Sequence, residues 1–325
     1  MEMVGQILLL ILGFVALIKG ADIFVDGSSS LAAIFKVPTV IIGLTIVALG
    51  TSAPELAVST SAAIAGSNEI ALSNVIGSNI FNLLMVLGVC AIIKPIPIDH
   101  TIKRRDYPFS IITTVLLFAA LCIPMIGKVS LGSVKMADNV SLVSRPIGIV
   151  LLVVFIGYIA YLIYDAKKHP SKEEPTKVMT PLKSVIFIVL GIGLIVAGGH
   201  FVVESAKYIA AAFGMSETLI GLTVVALGTS LPELVTSIVA SRKGENGLAV
   251  GNVVGSNIFN MLFILGVSST IHPVAVNFAS ICDFIILIAV TVLCYIFAIT
   301  KKINRIEGVV MVLLYVGTVV FAALR

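Results

Sequence analysis

A chain of 325 residues that is 58% hydrophobic and 12% charged, with a mean hydropathy of +1.14, is not a soluble domain, where about a quarter of residues carry charge. It reads as an all-α polytopic membrane protein whose surroundings are the lipid bilayer, with no room for a sizeable soluble domain. The formal net charge of +4 belongs to loops and gives no nucleic-acid-binding face.

Stretches long enough to cross a hydrocarbon core of about 30 Å are predicted near 4–30, 38–65, 70–92, 107–126, 147–164, 182–210, 217–241, 247–271, 281–300 and 306–324. That makes ten spans. The first is no obvious signal peptide, because it lacks a basic leading region and Lys19 follows its apolar run. Cys90, Cys122, Cys282 and Cys294 lie in apolar stretches without metal-type spacing and read as packing residues. Lysine and arginine crowd the loops after odd-numbered spans, among them Lys103, Arg104, Arg105, Lys167, Lys168, Arg242 and Lys243. By the positive-inside rule that face is cytoplasmic, so both termini are expected outside at the cell membrane.

An internal repeat organises the chain. Residues 39–88 align without a gap to 217–266, a constant offset of 178, with 29 of 50 positions identical. The offset carries spans 1–3 onto spans 6–8. Corresponding spans are five apart, an odd number, so the two copies cross the membrane in opposite directions. The expected architecture is two inverted-topology five-helix repeats, at 1–164 and 181–325, around a polar cytoplasmic linker at 165–180. The linker's lysines and glutamates read as a solubilising face.

Two motifs recur within the repeat: GTSAPEL (50–56) with GTSLPEL (228–234), and NVIGSNIFN (74–82) with NVVGSNIFN (252–260). A carboxylate inside a membrane span is costly and marks a functional site by default. Here Glu55 and Glu233 occupy matching places. Pro54 and Pro232 lack the N–H that the carbonyls of Gly50 and Gly228 would otherwise accept, so spans 2 and 7 are expected to break there. Freed carbonyls at that depth are tolerated where something satisfies them, and a cation can. Thr51 shares a helix face with Glu55, as Thr229 does with Glu233, with Ser52 and Ser230 adjacent. In the second motif Asn74, Ser78 and Asn82 recur every four residues, as do Asn252, Ser256 and Asn260. Four helices would thus enclose a cage of carboxylate, hydroxyl, amide and carbonyl oxygens. Such a cage suits Ca2+ or Na+, and the lack of His and Cys argues against zinc, copper or iron. Taken singly, Gly-Ser-Asn clusters and proline kinks are ordinary packing devices; the doubled, symmetric glutamates favour ligation. Asp22, Asp26, His200 and Glu204 lie toward helix ends and read as interfacial or gating contacts.

The doubled GTSxPEL and GSNIFN motifs resemble those of the cation/Ca2+ antiporter superfamily, specifically its prokaryotic Na+/Ca2+ exchanger branch, over essentially the whole chain. The resemblance implies Na+ and Ca2+ as transported substrates, exchanged three for one, with no cofactor and no enzymatic activity. It further implies Glu55 and Glu233 as Ca2+ carboxylates and main-chain carbonyls from Thr51 and Thr229. Ser52, Ser78, Ser230 and Ser256 would serve Na+ sites beside the Ala48 and Ala226 carbonyls. Spans 1 and 6 would slide past the other eight. Several relatives carry an aspartate where this chain has Asn260, and potassium-dependent ones have an acid there; the amides at Asn82 and Asn260 imply K+-independent exchange. A Ca2+/H+ antiporter on the same fold is the nearest alternative, because buried carboxylates can also carry protons. A cation channel would require a pore usually built by an oligomer, whereas one chain here encloses its own site, so a monomer would suffice. No nucleophile–base pair supports an intramembrane enzyme.

Overall fold

The computed structural model describes residues 2–66, 68–123, 135–171, 178–215, 226–300 and 302–324. α1 (Glu2–Phe35) crosses first. The second span is broken: α2 (Thr39–Thr51) and α3 (Ala53–Ile64) meet at Ser52 with a bend of 51°. α4 (Ile70–Ile93), α5 (Ile102–Cys122) and α6 (Arg145–Lys168) complete the first half. The second half contains α7 (Pro181–Ala212), α8 (Ala226–Gly228), α9 (Leu231–Lys243), α10 (Asn246–Ile271), α11 (Phe278–Ile299) and α12 (Arg305–Leu324). Eight continuous helices and the bent pair account for nine of the ten expected spans among the described residues. The remaining span is represented by α8 and α9; its first part, 216–225, lies outside the described residues, as do 124–126 at the end of the fourth. Helix α6 runs to Lys168, so Asp165 belongs to its last turn and not to the linker.

The repeat is visible in how helices stop. Gly66 (φ +76°) and Gly244 (φ +86°), one offset apart, take left-handed conformations after α3 and α9, where glycine carries no Cβ penalty. Gly214 (φ +82°) does the same after α7, and its counterpart after α1 is Lys36 (φ +54°). Matching bonds accompany the last two: Val37 N to Ala32 O at 2.9 Å and Met215 N to Ala210 O at 3.1 Å.

Small residues decide which helices touch. α1 and α7 run antiparallel along a seam with Gly13, Gly20 and Gly27 on one side and Ser184, Gly191 and Gly198 on the other, each series seven residues apart. A Cβ at Gly198 would lie 2.7 Å from Gly13 O, and one at Gly27 would lie 2.8 Å from Ser184 O. These backbones touch as only small residues allow. On α10, Cβ atoms at Gly251 and Gly255 would each approach the α2 backbone to 2.6 Å. The halves also interlock. Gly88 of α4 meets Gly308 of α12, and Gly266 of α10 meets Gly148 of α6. In the loops, β1 (Ile96–Pro97) pairs with β4 (Lys302–Ile303). On the opposite face β2 (Asn139–Val143) pairs with β3 (Val274–Asn277). The centre is α10, almost wholly buried, flanked by α4; α1, α6, α7 and α12 turn large apolar side chains outward, as lipid-facing helices must.

The face bearing the linker holds most of the ion pairs. Asp106 is fully buried, accepts from Arg105 Nε at 2.8 Å and receives Tyr158 OH at 3.0 Å. Arg105 continues to Asp165 at 2.5 Å, which tethers α5 to α6. A buried charge without such partners would be strongly destabilising. Lys36 is the one non-glycine residue with positive φ among the described residues. Because that conformation costs an L-residue about 1–2 kcal/mol, Lys36→Gly is expected to stabilise the protein by about 1 kcal/mol, read as a raised thermal unfolding midpoint in detergent; an unchanged or lowered midpoint would show that the residue is unstrained.

Candidate functional site

The break in span 2 follows from its chemistry. Pro54 cannot donate, so the ladder stops and Ser52 takes φ −84°, ψ 11°. Ser230 before Pro232 takes φ −93°, ψ 6°. The turn re-forms with Leu56 N on Ser52 O at 3.1 Å and Leu234 N on Ser230 O at 3.2 Å. Glu55 and Glu233 therefore sit in the first turns of α3 and α9, where the helix dipole favours negative charge. The last carbonyls of the preceding helix segments, where the dipole is negative, approach the same place.

Both glutamates are fully buried, as are Ser52, Ser230, Ser256, Asn82 and Asn260, with Ser78 at 3% exposure. Their bonds cross between the halves. Ser52 Oγ lies 2.7 Å from Glu233 Oε1 and 3.0 Å from Ser256 Oγ. Ser230 Oγ lies 2.8 Å from Glu55 Oε1 and 3.1 Å from Ser78 Oγ. Ser78 is 3.4 Å from Glu55 Oε1, and Ser256 is 3.5 Å from Glu233 Oε1. Each glutamate is thus held by the broken helix of the other repeat and the polar helix of its own.

Asn74 and Asn252 brace the backbone. The Asn74 amide reaches Glu55 O at 3.3 Å and Ser59 Oγ at 2.9 Å; the Asn252 amide reaches Glu233 O at 3.4 Å and Ser237 Oγ at 3.0 Å. Thr51 Oγ1 donates to Asn252 Oδ1 at 2.9 Å, whereas Thr229 Oγ1 is buried without a partner. The Ala48 carbonyl accepts Ser52 N at 3.0 Å. Ala226 opens α8, and its carbonyl belongs to the segment leading to Thr229.

Two asparagines escaped the sequence reading. Asn79 and Asn257 each donate to the other's main-chain carbonyl at 3.3 Å. Their side-chain oxygens then take the amide hydrogens of Asn260 (3.0 Å) and Asn82 (3.2 Å). Both residues stand in the repeated GSN triplet, but off the i, i+4 stripe that drew attention to Asn82 and Asn260. Each of those two opens a π-helical turn, Asn82–Val86 and Asn260–Ile264, a distortion common at functional sites.

Among the cage oxygens that can only accept, four are buried without a donor: Glu55 Oε2, Glu233 Oε2, Asn82 Oδ1 and Asn260 Oδ1. All four are acceptors, matched in pairs by the repeat. Among the described residues no group of three or more His, Cys, Asp or Glu forms a metal cluster, so the cage is one of mixed hard oxygens. Charges outside it go elsewhere. Asp22 and Asp26 hold Lys243 at 2.7 and 2.5 Å, Glu204 holds Lys207 at 2.6 Å, and His200 is exposed.

Known proteins resemble this chain over its length. The family described as sodium/calcium exchanger protein matches residues 5–164 and 183–324. The putative antiporter CaxA of Alkalimonas amylolytica is 37% identical, covering 94% of this chain and 95% of its own. The sodium/calcium exchanger MaX1 of Methanosarcina acetivorans is 33% identical over 96% of this chain and 97% of its own. Among solved structures, the sodium-calcium exchanger NCX_Mj soaked with 2.5 mM Na+ and 10 mM Sr2+ superposes with a TM-score of 0.82 at 31% identity, covering 99% of this chain and all of that one. With two inverted repeats, a broken helix in span 2 and this breadth of match, the chain belongs to the sodium/calcium exchanger family of membrane antiporters, and it is a transporter and not an enzyme.

Proposed function

We propose that this chain exchanges Na+ for Ca2+ across the cell membrane by alternating access at the cage between its two halves, 1–164 and 181–325. The observation that carries this reading is the set of four buried, donorless oxygens, two carboxylate and two amide. Two buried carboxylates with so few hydrogen-bond donors favour positive charge beside them, supplied by a metal cation or a proton. Ca2+ takes six to eight oxygens at about 2.3–2.6 Å. Glu55 and Glu233 would supply its carboxylates, and Thr51 and Thr229 main-chain carbonyls. Ser52, Ser78, Ser230 and Ser256 would receive Na+, with the Ala48 and Ala226 carbonyls beside them. Asn82 and Asn260 would complete the wall.

Two glutamates give the cage a formal charge of −2, which one Ca2+ neutralises and three Na+ overcompensate by one. Exchange at three to one would therefore move one net charge per cycle. Amides at 82 and 260 leave no third acid for a larger cation load, in keeping with K+-independent transport. One chain builds the whole cage, so a monomer would suffice. The basic linker face would be cytoplasmic, with both termini outside.

Glu55→Gln or Glu233→Gln is expected to weaken Ca2+ binding by about 3 kcal/mol or more, roughly a hundredfold, and to bring Ca2+ flux to background; wild-type flux in either variant would remove the glutamates from the site. Asn260→Asp adds a third acid and is expected to shift ion selectivity or confer proton sensitivity, checked by the pH profile of Ca2+ uptake. The coupling ion is tested by uptake of radioactive calcium into Na+-loaded proteoliposomes diluted into Na+-free buffer at fixed pH without K+. Uptake should collapse when the Na+ gradient is removed. Uptake that ignores Na+ and follows an outward proton gradient would make the protein a Ca2+/H+ antiporter.

A further inference from the structure

Helix α9 carries more hydroxyls than the cage uses. From Glu233 toward the linker face, Thr236, Ser237, Ala240 and Ser241 follow at i+3, i+4, i+7 and i+8, one continuous helix face. All four are within 1% of full burial. Ser237 supports Asn252. Thr236 Oγ1 and Ser241 Oγ, however, are buried with no hydrogen-bond partner. Buried helical Thr and Ser ordinarily turn back to the carbonyl four residues earlier. Elsewhere in this chain Thr45, Thr60, Thr113, Thr114, Ser269 and Thr291 do so. Thr236 and Ser241 do not.

The face leads somewhere. At a rise of about 1.5 Å per residue, Ser241 lies about 12 Å along the helix from Glu233. Two residues further, Lys243, Gly244, Glu245 and Asn246 line a cavity of about 610 Å³ on the linker face, together with Asp99. The Asn246 Oδ1 oxygen in its wall is likewise without a donor. The other repeat matches this stripe only in part: positions 58, 59 and 63, one offset from 236, 237 and 241, are Val58, Ser59 and Ala63. Ser237 thus has a counterpart in Ser59, whereas the two unpartnered hydroxyls that flank it on α9 have none on α3.

We propose that Thr236, Ser237 and Ser241 form a transit site for the cation between the central cage and the linker-side cavity. The proposal rests on the antiporter reading above. A cation leaving two carboxylates for water crosses an interval in which neither solvates it, and hydroxyl oxygens spaced along one helix face supply ligands there. The stripe is buried in this structure, so the path is closed. It opens when α9 separates from its neighbours on the linker face, and the opposite side, with Val58 and Ala63 around Ser59, keeps one of the three hydroxyls.

The test gives α9 the residues of the other repeat, Thr236→Val with Ser241→Ala. Both remove an unpartnered hydroxyl without enlarging a side chain, and Ser241→Ala alone serves if the double variant is poorly expressed. Exchange of radioactive for unlabelled Ca2+ is measured in vesicles of defined orientation, which requires no assumption about the coupling ion. The half-saturating Ca2+ concentration on the linker side is expected to rise about three- to tenfold, corresponding to loss of one or two hydroxyl contacts. The opposite side should be unmoved, as should the Ca2+ affinity in detergent, and Thr236→Ser should behave as the unmodified protein. Equal changes on both sides, or none, would overturn the transit site while leaving the antiporter reading intact. Absence of Ca2+ self-exchange in the unmodified protein would overturn the antiporter reading, and the transit site with it.

Discussion

The arrangement depends on two carboxylates held at membrane depth with too few donors around them. Glu55 and Glu233 each have one oxygen engaged by two serines and one by nothing, in an interior where an uncompensated charge is costly. A soluble protein would surround such groups with N–H donors or an arginine. Here the side-chain nitrogens of Asn82 and Asn260 bond to Asn257 and Asn79, and their oxygens stay buried without a donor. The network withholds donors from the cage.

The rest of the fold keeps that deficit in place. Close glycine contacts bring α10 against α2, so the polar helix of one half reaches the broken helix of the other. The breaks at Ser52 and Ser230 turn a helix end and a helix start toward one point. The α1–α7 seam has its own heptad-spaced small residues, and the pair also packs on the breaks: a Cβ at Gly50 would meet Phe24 and Ile192, and one at Gly228 would meet Val203.

Much of this was legible because the chain states it twice. The repeat, the breaks at the prolines and the polar stripe of Asn74, Ser78 and Asn82 all follow from spacing and residue type. What escaped depends on two helices meeting. Asn79 and Asn257 bond to each other's backbone across the pseudo-two-fold axis, and no periodicity within either helix announces that. Asp106 follows the basic run of Lys103, Arg104 and Arg105 in sequence, and only the approach of α6 brings Tyr158 to it. The π-helical turns at Asn82 and Asn260 have no signature in single-residue propensities. The unpartnered hydroxyls of α9 are similar: Thr236 and Ser241 look like ordinary helical polar residues until their missing bonds are seen.

The crossed serine–glutamate bonds bear on what a fragment of this chain could be. Glu55 depends on Ser230, and Glu233 depends on Ser52, so neither half contains a finished site. Two copies of a single half could complete one only by meeting head to tail, one inserted with its amino terminus up and the other with it down. Joining both halves in one polypeptide fixes that opposed pairing at synthesis, and it leaves each half free to diverge where the two sides of a membrane make different demands.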